Sequence, residues 1–167
     1  MKRGFTIVEI IVTITIMAIL LTLAVVNVSS SEANGRDAER KADMESLTLN
    51  LEQFYKTVDP AIALSGSGYP NTTLMTNATI TSTLPDVDPK ILRAPGVAES
   101  DPISVVAATN TAQTTTGILP LPTASSYVYQ PLTETNTLCS SGACRKYNVY
   151  YFLETTNTVV KIASRNQ

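Results

Sequence analysis

The sequence predicts an α+β fold, in which a long N-terminal helix packs on a small C-terminal antiparallel β-sheet. Residues 10–28 form an uncharged, mostly apolar run, and apolar positions between residues 44 and 58 recur at steps of three and four. From residue 126 onward, runs of β-branched and aromatic residues favour strands. The 167 residues suffice for one domain with a terminal appendage.

The composition argues against most enzymes. The 12 Lys and Arg against 14 Asp and Glu give a net charge of −2, so no clear nucleic-acid site is predicted. The absence of histidine removes the commonest general base and metal ligand and the histidine-dependent nucleophile triads. We therefore predict a non-enzymatic protein with no catalytic residues, no cofactor and no metal site. The low share of charged residues, 16%, suits an uncharged extracellular surface.

The N-terminus predicts a membrane-spanning helix. A bilayer core needs roughly 20 helical residues, which residues 10–28 approach, and Lys2 and Arg3 place the leader in the cytoplasm. Glu9 stands at the front of this run. A carboxylate costs about 2.5 to 3.5 kcal/mol at the centre of a membrane helix and less near its end, so Glu9 predicts a functional role with a cationic partner.

Residues 2–9, Lys-Arg-Gly-Phe-Thr-Ile-Val-Glu, and the aliphatic run after them resemble the processing site of type IV prepilins, of the pilin and pseudopilin superfamily. The resemblance implies that a prepilin peptidase cleaves after Gly4 and methylates the new N-terminal residue, Phe5. It also implies that Glu9, then the fifth residue, pairs with the Phe5 amine of a neighbouring subunit. A paired carboxylate costs far less than an unpaired one in an apolar surrounding, so the pair would set the register between subunits.

The resemblance implies a structural subunit of a type IV pilus, inserted in the cytoplasmic membrane as a precursor and then polymerised into an extracellular filament for adhesion or twitching motility. Its expected partners are identical subunits, minor pilins, the peptidase, the inner-membrane assembly platform, and a host cell or another surface. Three alternatives stay open: a pseudopilin or minor pilin of a type II secretion or DNA-uptake system, an uncleaved membrane-tethered extracellular binding module, and a secretory signal cut near residues 31–33.

The chain divides into five predicted segments. They are the leader (1–4), the membrane and filament-core helix (5–28), the amphipathic half of the helix (29–58), a Pro/Ser/Thr-rich connection (59–125) and the sheet (126–167). The weak helix formers between residues 22 and 35 leave open whether the helix bends or unwinds there. The charged residues of the amphipathic half, including Asp37, Arg40 and Glu52, are expected on helix faces other than the apolar stripe.

The C-terminal segment predicts three antiparallel strands, at residues 127–130, 147–154 and 158–163, with residues 155–157 as a tight connection. Their apolar face is expected to cover the helix stripe. Six aromatic residues there favour packing over a ligand platform. A short strand near residues 103–107 and a helical turn near residues 79–84 are further possibilities within the connection.

Cys139 and Cys144 are the two cysteines of the chain. They do not match the CxxC redox motif, and two cysteines without histidine lack the ligands of a structural zinc site. A disulfide is favoured, with free thiols or a catalytic or metal role as alternatives. Pilins often carry a C-terminal disulfide that delimits an exposed loop; this smaller loop would pin a hairpin.

Two further sets of residues carry weak signals. Asp86, Asp88, Glu99 and Asp101 lack a calcium-loop pattern and are expected in solvated turns. Asn71 and Asn77 stand in glycosylation sequons, which arise by chance in a Thr-rich chain.

Overall fold

The computed structural model of the chain describes residues 6–56 and 68–165, without the side chains of residues 24–27 and 56. Helix α1 spans Ile7–Lys56 and is followed by the short helix α2 (Ile80–Thr83) and a 3₁₀ turn (Pro89–Leu92). The strands are β1 (Val105–Ala107), β2 (Tyr127–Leu132), β3 (Lys146–Leu153) and β4 (Thr158–Ala163). The predicted α+β architecture is confirmed, and the short turn and strand expected within the connection are present.

Helix α1 is continuous between residues 22 and 35, so it does not unwind there. Polar side chains along it bond back to its own backbone instead of replacing the helical ladder. The hydroxyls of Thr13, Thr15 and Thr22 donate to carbonyl oxygens three residues earlier at 2.7–2.9 Å, and the Asn34 amide donates to the Ser30 carbonyl at 2.9 Å. These weak helix formers therefore lie within the helix with their polar groups satisfied.

The sheet is mixed, with strand order β1-β2-β3-β4. The three predicted antiparallel strands are confirmed as β2, β3 and β4, and the connection at residues 155–157 is a tight turn. The prediction of a purely antiparallel sheet is wrong because β1 pairs with β2 in parallel. Parallel neighbours need a long crossover, and residues 108–126 provide it.

The main core lies between α1 and the sheet, as predicted. Met44, Leu47 and Leu51 of α1 are fully buried and belong to one cluster with Tyr129 and Tyr147 of the sheet. A second, smaller cluster covers the opposite face of the sheet; its buried members are Ala108, Ile118, Val128 and Tyr150. Because successive residues of β2 and β3 point to opposite faces, both strands are buried on both sides.

The aromatic residues pack as predicted. Tyr69 meets Tyr147 edge to face, with ring centroids 4.6 Å apart, and Tyr147 stacks on Tyr129 at 5.9 Å. Burial raises the pKa of Tyr129 and Tyr147 well above the usual range and that of Tyr150 to about 12. These phenols stay neutral and serve the core.

The connection before the sheet contributes core residues as well as turns. Tyr69, Met75, Ile80 and Leu92 are at most 1% exposed and join the main cluster. The described part of this connection is therefore a folded layer of short elements beside the sheet.

A polar junction joins α1 to the turn between β3 and β4. The carboxylate of Asp37 accepts hydrogen bonds from the backbone N–H groups of Glu154 and Thr155, both at 2.9 Å, and from the Thr155 hydroxyl at 2.7 Å. Arg40 is 1% exposed and donates to Asp37, to the Ala124 carbonyl at 2.8 Å and to Glu154. Asp37 and Arg40 are therefore buried by partners from distant parts of the chain, a role that their expected place beside the apolar stripe does not predict.

Glu52 forms a second junction and is likewise buried. Its carboxylate accepts hydrogen bonds from the hydroxyls of Tyr69 (2.8 Å) and Tyr147 (3.1 Å) and from the backbone N–H of Arg165 (3.0 Å). One helix residue thereby holds the connection, the sheet and the C-terminal strand end. Three donors satisfy a carboxylate that burial would otherwise make costly.

The first junction predicts acid sensitivity of the headgroup, defined here as the folded part of the chain from residue 36 onward. The hydrogen bonds from Arg36 are the main cause that lowers the pKa of Glu154, from 4.5 to about 2. Burial acts to raise the pKa of Asp37, but the Thr155 hydrogen bonds lower it overall. Because both folded-state pKa values are depressed, this stabilisation is complete above about pH 4.5 and is lost as pH falls toward 2.

We expect the thermal unfolding midpoint of the full-length protein in detergent to fall as pH is lowered from 4.5 to 2. Glu154→Gln should lower the midpoint at pH 7 and make it less dependent on pH, whereas Glu134→Gln, at an exposed turn, should behave as wild type. An unchanged pH profile in the Glu154 variant would contradict the role of this junction.

Candidate assembly site

The first half of α1 has no cover from the other described residues of the chain. Every described side chain between residues 6 and 32 is exposed, including Ile7 (80%) and Met17 (68%). By length and composition, this helix suffices to cross a membrane. Side chains this apolar require a lipid or protein surrounding, so this half of α1 is a surface for insertion or assembly.

Thr6 caps the start of α1. Its side-chain oxygen accepts a hydrogen bond from the Glu9 backbone N–H at 3.2 Å, and its carbonyl accepts the first helical bond, from Ile10, at 3.3 Å. The order Thr-x-x-Glu is that of a capping box, which satisfies orphan N–H groups at a helix start. Glu9 also lies in the first turn, where the helix dipole favours a negative charge. This local role of Thr6 and Glu9 was not predicted from the sequence, although their spacing signals it.

Two of the predicted processing residues, Gly4 and Phe5, lie outside the described residues. Cleavage after Gly4, methylation of Phe5 and its pairing with Glu9 therefore stay predictions. Glu9 itself is described, and it is exposed on the helix surface. Its side chain is thus accessible to a partner from outside its own chain.

The disulfide between Cys139 and Cys144 is present and closes a small loop between β2 and β3. This loop holds the incoming segment at residues 69–72. Tyr69 and Cys144 exchange backbone hydrogen bonds of 2.8 and 3.2 Å, and the Thr72 N–H donates to the Cys139 carbonyl at 3.2 Å. The loop therefore ties the connection to the sheet in addition to closing the β2–β3 hairpin.

Gly68 is required by this close approach. A Cβ atom there would lie 2.5 Å from the Cβ of Ala143 and 2.9 Å from the carbonyl oxygen of Cys144. The sequence Gly68-Tyr69-Pro70 follows the helix, and glycine at its first position lets the segment touch the loop so that Tyr69 enters the core.

The acidic residues considered for calcium and the two glycosylation sequons carry the weaker signals. Asp88 caps the 3₁₀ turn by accepting from the Lys90 N–H at 2.9 Å. Within residues 6–56 and 68–165, no three potential metal-ligating side chains come together. Asn71 is buried, and its amide nitrogen donates to the Gly142 carbonyl, whereas Asn77 is exposed. Only the second sequon is therefore accessible in the folded headgroup.

A comparison with protein families supports the interpretation of the N-terminus. Residues 1–25 match the family model described as the prokaryotic N-terminal methylation motif. Searches of curated proteins and of solved structures found no match to this chain. A motif of this kind implies processing by a prepilin peptidase at the membrane. With the uncovered helix and the α+β headgroup, it supports a type IV pilin-like protein, a class that includes pilus subunits and pseudopilins.

The contact at Gly68 predicts opposite effects for two glycine substitutions. Gly68→Ala should destabilise the headgroup by about 1 to 3 kcal/mol, because the added methyl group overpacks against Ala143 and the Cys144 carbonyl. Gly35→Ala is the matched control: its Cβ meets nothing within 4 Å, so alanine should stabilise the helix by up to about 1 kcal/mol. Urea unfolding of the full-length protein in detergent measures both, and equal effects of the two substitutions would contradict the close-approach role.

Proposed function

We propose that the chain is a structural subunit of a type IV pilus. The precursor is inserted in the cytoplasmic membrane, cleaved after Gly4 and methylated on Phe5, and it then polymerises into an extracellular filament for adhesion or twitching motility. The observation that carries the proposal is the uncovered apolar half of α1, most of which lies within the matched methylation motif. Its exposed side chains suit the lipid of the membrane before assembly and the helices of neighbouring subunits afterwards.

Glu9 sets the register between subunits in this proposal. Lipid tails are as apolar as leucine, so moving an aliphatic helix from lipid into a bundle gains little hydrophobic free energy and leaves many registers alike. A carboxylate that needs a cation favours the one register in which the two charges meet. The amine of Phe5 in a neighbouring subunit supplies that cation after cleavage, and the exposed position of Glu9 in the first turn leaves it accessible.

The partners follow from the same proposal. They are identical subunits, minor pilins, the prepilin peptidase, the inner-membrane assembly platform, and a host cell or another surface that the filament contacts. No cofactor takes part, because assembly requires packing and charge pairing instead of bond chemistry on the headgroup.

A pseudopilin or minor pilin of a type II secretion or DNA-uptake system is the second candidate. A major pilin and a pseudopilin or minor pilin would use the same motif and helix, and the number of copies in the filament distinguishes these candidates. An uncleaved, membrane-tethered binding module is a candidate of a different class, in which the leader remains on the chain and no polymer forms.

We expect mass spectrometry of filaments sheared from producing cells to find an abundant N-terminal peptide that begins with N-methylated Phe5. The peptide with Cys139 and Cys144 should carry the disulfide seen in the structure. Chain confined to the membrane fraction and beginning at Met1 would support the tethered module instead. A processed chain present only in trace amounts beside another subunit would support the minor pilin or pseudopilin.

Glu9 variants separate charge pairing from helix capping. Glu9→Ala should leave a stable precursor in the membrane but sharply reduce surface filaments. Glu9→Gln keeps the capping-box pattern, since Gln also serves at this position, but removes the charge. If the ion pair sets the register, we expect Gln to reduce filaments as Ala does. Normal filament yield in the Gln variant would assign Glu9 to capping and contradict the pairing proposal.

A further inference from the structure

Resting on the proposed filament, we propose that successive copies of this chain bind each other through two headgroup surfaces. The first, the ledge, consists of Leu119, Pro120, Leu121 and Pro122. The second, the groove, lies between α1 and β4, and its lining includes Glu45, Leu49, Glu52, Ile162, Ala163 and Arg165. The occupant of the groove is the ledge of a second copy.

The ledge is an exposed apolar feature on an uncharged surface. Leu119 is 51% exposed and Leu121 is 49% exposed. Outside the apolar half of α1, these two and Leu49 are the exposed large hydrophobic residues of the described chain. No charged residue occurs from residue 102 to residue 133. The ledge therefore enters an apolar site without desolvating a charge of its own.

The ledge is held in place before it binds. The Leu119 N–H donates to the Asn110 side-chain oxygen at 3.0 Å, and the Leu119 carbonyl accepts from the Thr109 N–H at 2.8 Å. The rings of Pro120 and Pro122 fix their own φ angles. A segment ordered in advance loses little conformational entropy on binding.

The groove offers a complementary site. It is open, has a volume of about 450 Å³, and is lined by the apolar side chains of Leu49, Ile162 and Ala163. Leu49 is 58% exposed. Glu45 and Arg165 are exposed and stay solvated beside a neutral ledge. The hydrophobic effect operates here because both surfaces face water before assembly.

The two surfaces lie toward opposite edges of the sheet. Strand β1 is one edge and β4 is the other. Leu119 pairs with Thr109, two residues beyond β1, whereas Ile162 and Ala163 of β4 line the groove. A contact between unlike surfaces of identical chains is heterologous, and it extends into a helical filament wherever the rotation does not close a ring. A second copy thus supplies what each surface lacks.

Photo-cross-linking tests the contact directly. We expect full-length chain with benzoylphenylalanine in place of Leu121 to form dimers in sheared filaments, with the cross-linked peptide from residues 45–49 or 162–165. The same probe in place of Thr135, exposed and neutral in a different turn, should give none of these products. If the wild-type chain forms filaments but the probe at position 121 captures other peptides, another protein or nothing, the contact is contradicted and the proposed filament stands. The absence of any polymer from the wild-type chain would instead contradict the proposed function.

A charge exchange tests the pairing independently. Leu121→Glu and Leu49→Lys should each reduce filament yield several-fold, because each replaces an apolar contact with a charge that must be desolvated when the ledge binds. The double variant pairs the two charges and should recover most of the yield. Thr135→Glu adds the same charge elsewhere and should assemble as wild type. Both leucines are exposed, so the variants should keep the headgroup fold, which the unfolding midpoint of each variant checks. Single variants with wild-type yield, or a double variant with the summed loss of both, would overturn the proposal.

Discussion

The hydrogen bonds between Asp37 and the turn after β3 determine where α1 stops being covered and where the headgroup begins. Asp37 is the first buried residue described on α1, and Arg40 follows it one turn later. Within about one turn of the helix, these two residues join it to the β3–β4 turn and to Ala124. Before this junction, the apolar side chains of the helix require lipid or protein around them. After it, the helix packs on its own sheet. Glu52 holds the far end of the covered half in the same way, so two carboxylates bracket the core.

Local periodicity was enough to predict the helix, the three antiparallel strands and the face of α1 that they cover, because each pattern belongs to a continuous stretch of chain. The buried roles of Asp37, Arg40 and Glu52 escaped prediction because each has a partner far along the chain. The separation is 118 residues between Asp37 and Thr155, 84 between Arg40 and Ala124, and 95 between Glu52 and Tyr147. Strand β1 has three residues, too few for a clear alternation, and its parallel partner lies beyond a long crossover. The need for glycine at Gly68 also depends on a distant neighbour, Ala143.

The candidate assembly site likewise has a part that was predicted from the sequence and a part that was not. The motif around Gly4, Phe5 and Glu9 is readable because processing acts on a short linear segment, and the match over residues 1–25 agrees with it. Even there, the Thr6 cap shows that Glu9 has a local environment in addition to its implied partner. The two roles are compatible, because a backbone N–H bonded to Thr6 leaves the carboxylate of Glu9 available. The Glu9 backbone can thus take part in the helix start while its side chain stays available for the proposed pairing with a neighbouring subunit.

The division of α1 also divides the sources of assembly energy. Apolar helices gain little by exchanging lipid for one another, so in the proposed filament the uncovered half would contribute packing and register more than hydrophobic free energy. The headgroup faces water, and there each apolar side chain that becomes covered contributes fully. Most large apolar residues in the described part of the headgroup are already in the core, and there Leu49, Leu119 and Leu121 are the ones still exposed. A filament built from this chain would therefore draw its register from the helix and a hydrophobic contribution from these few headgroup positions.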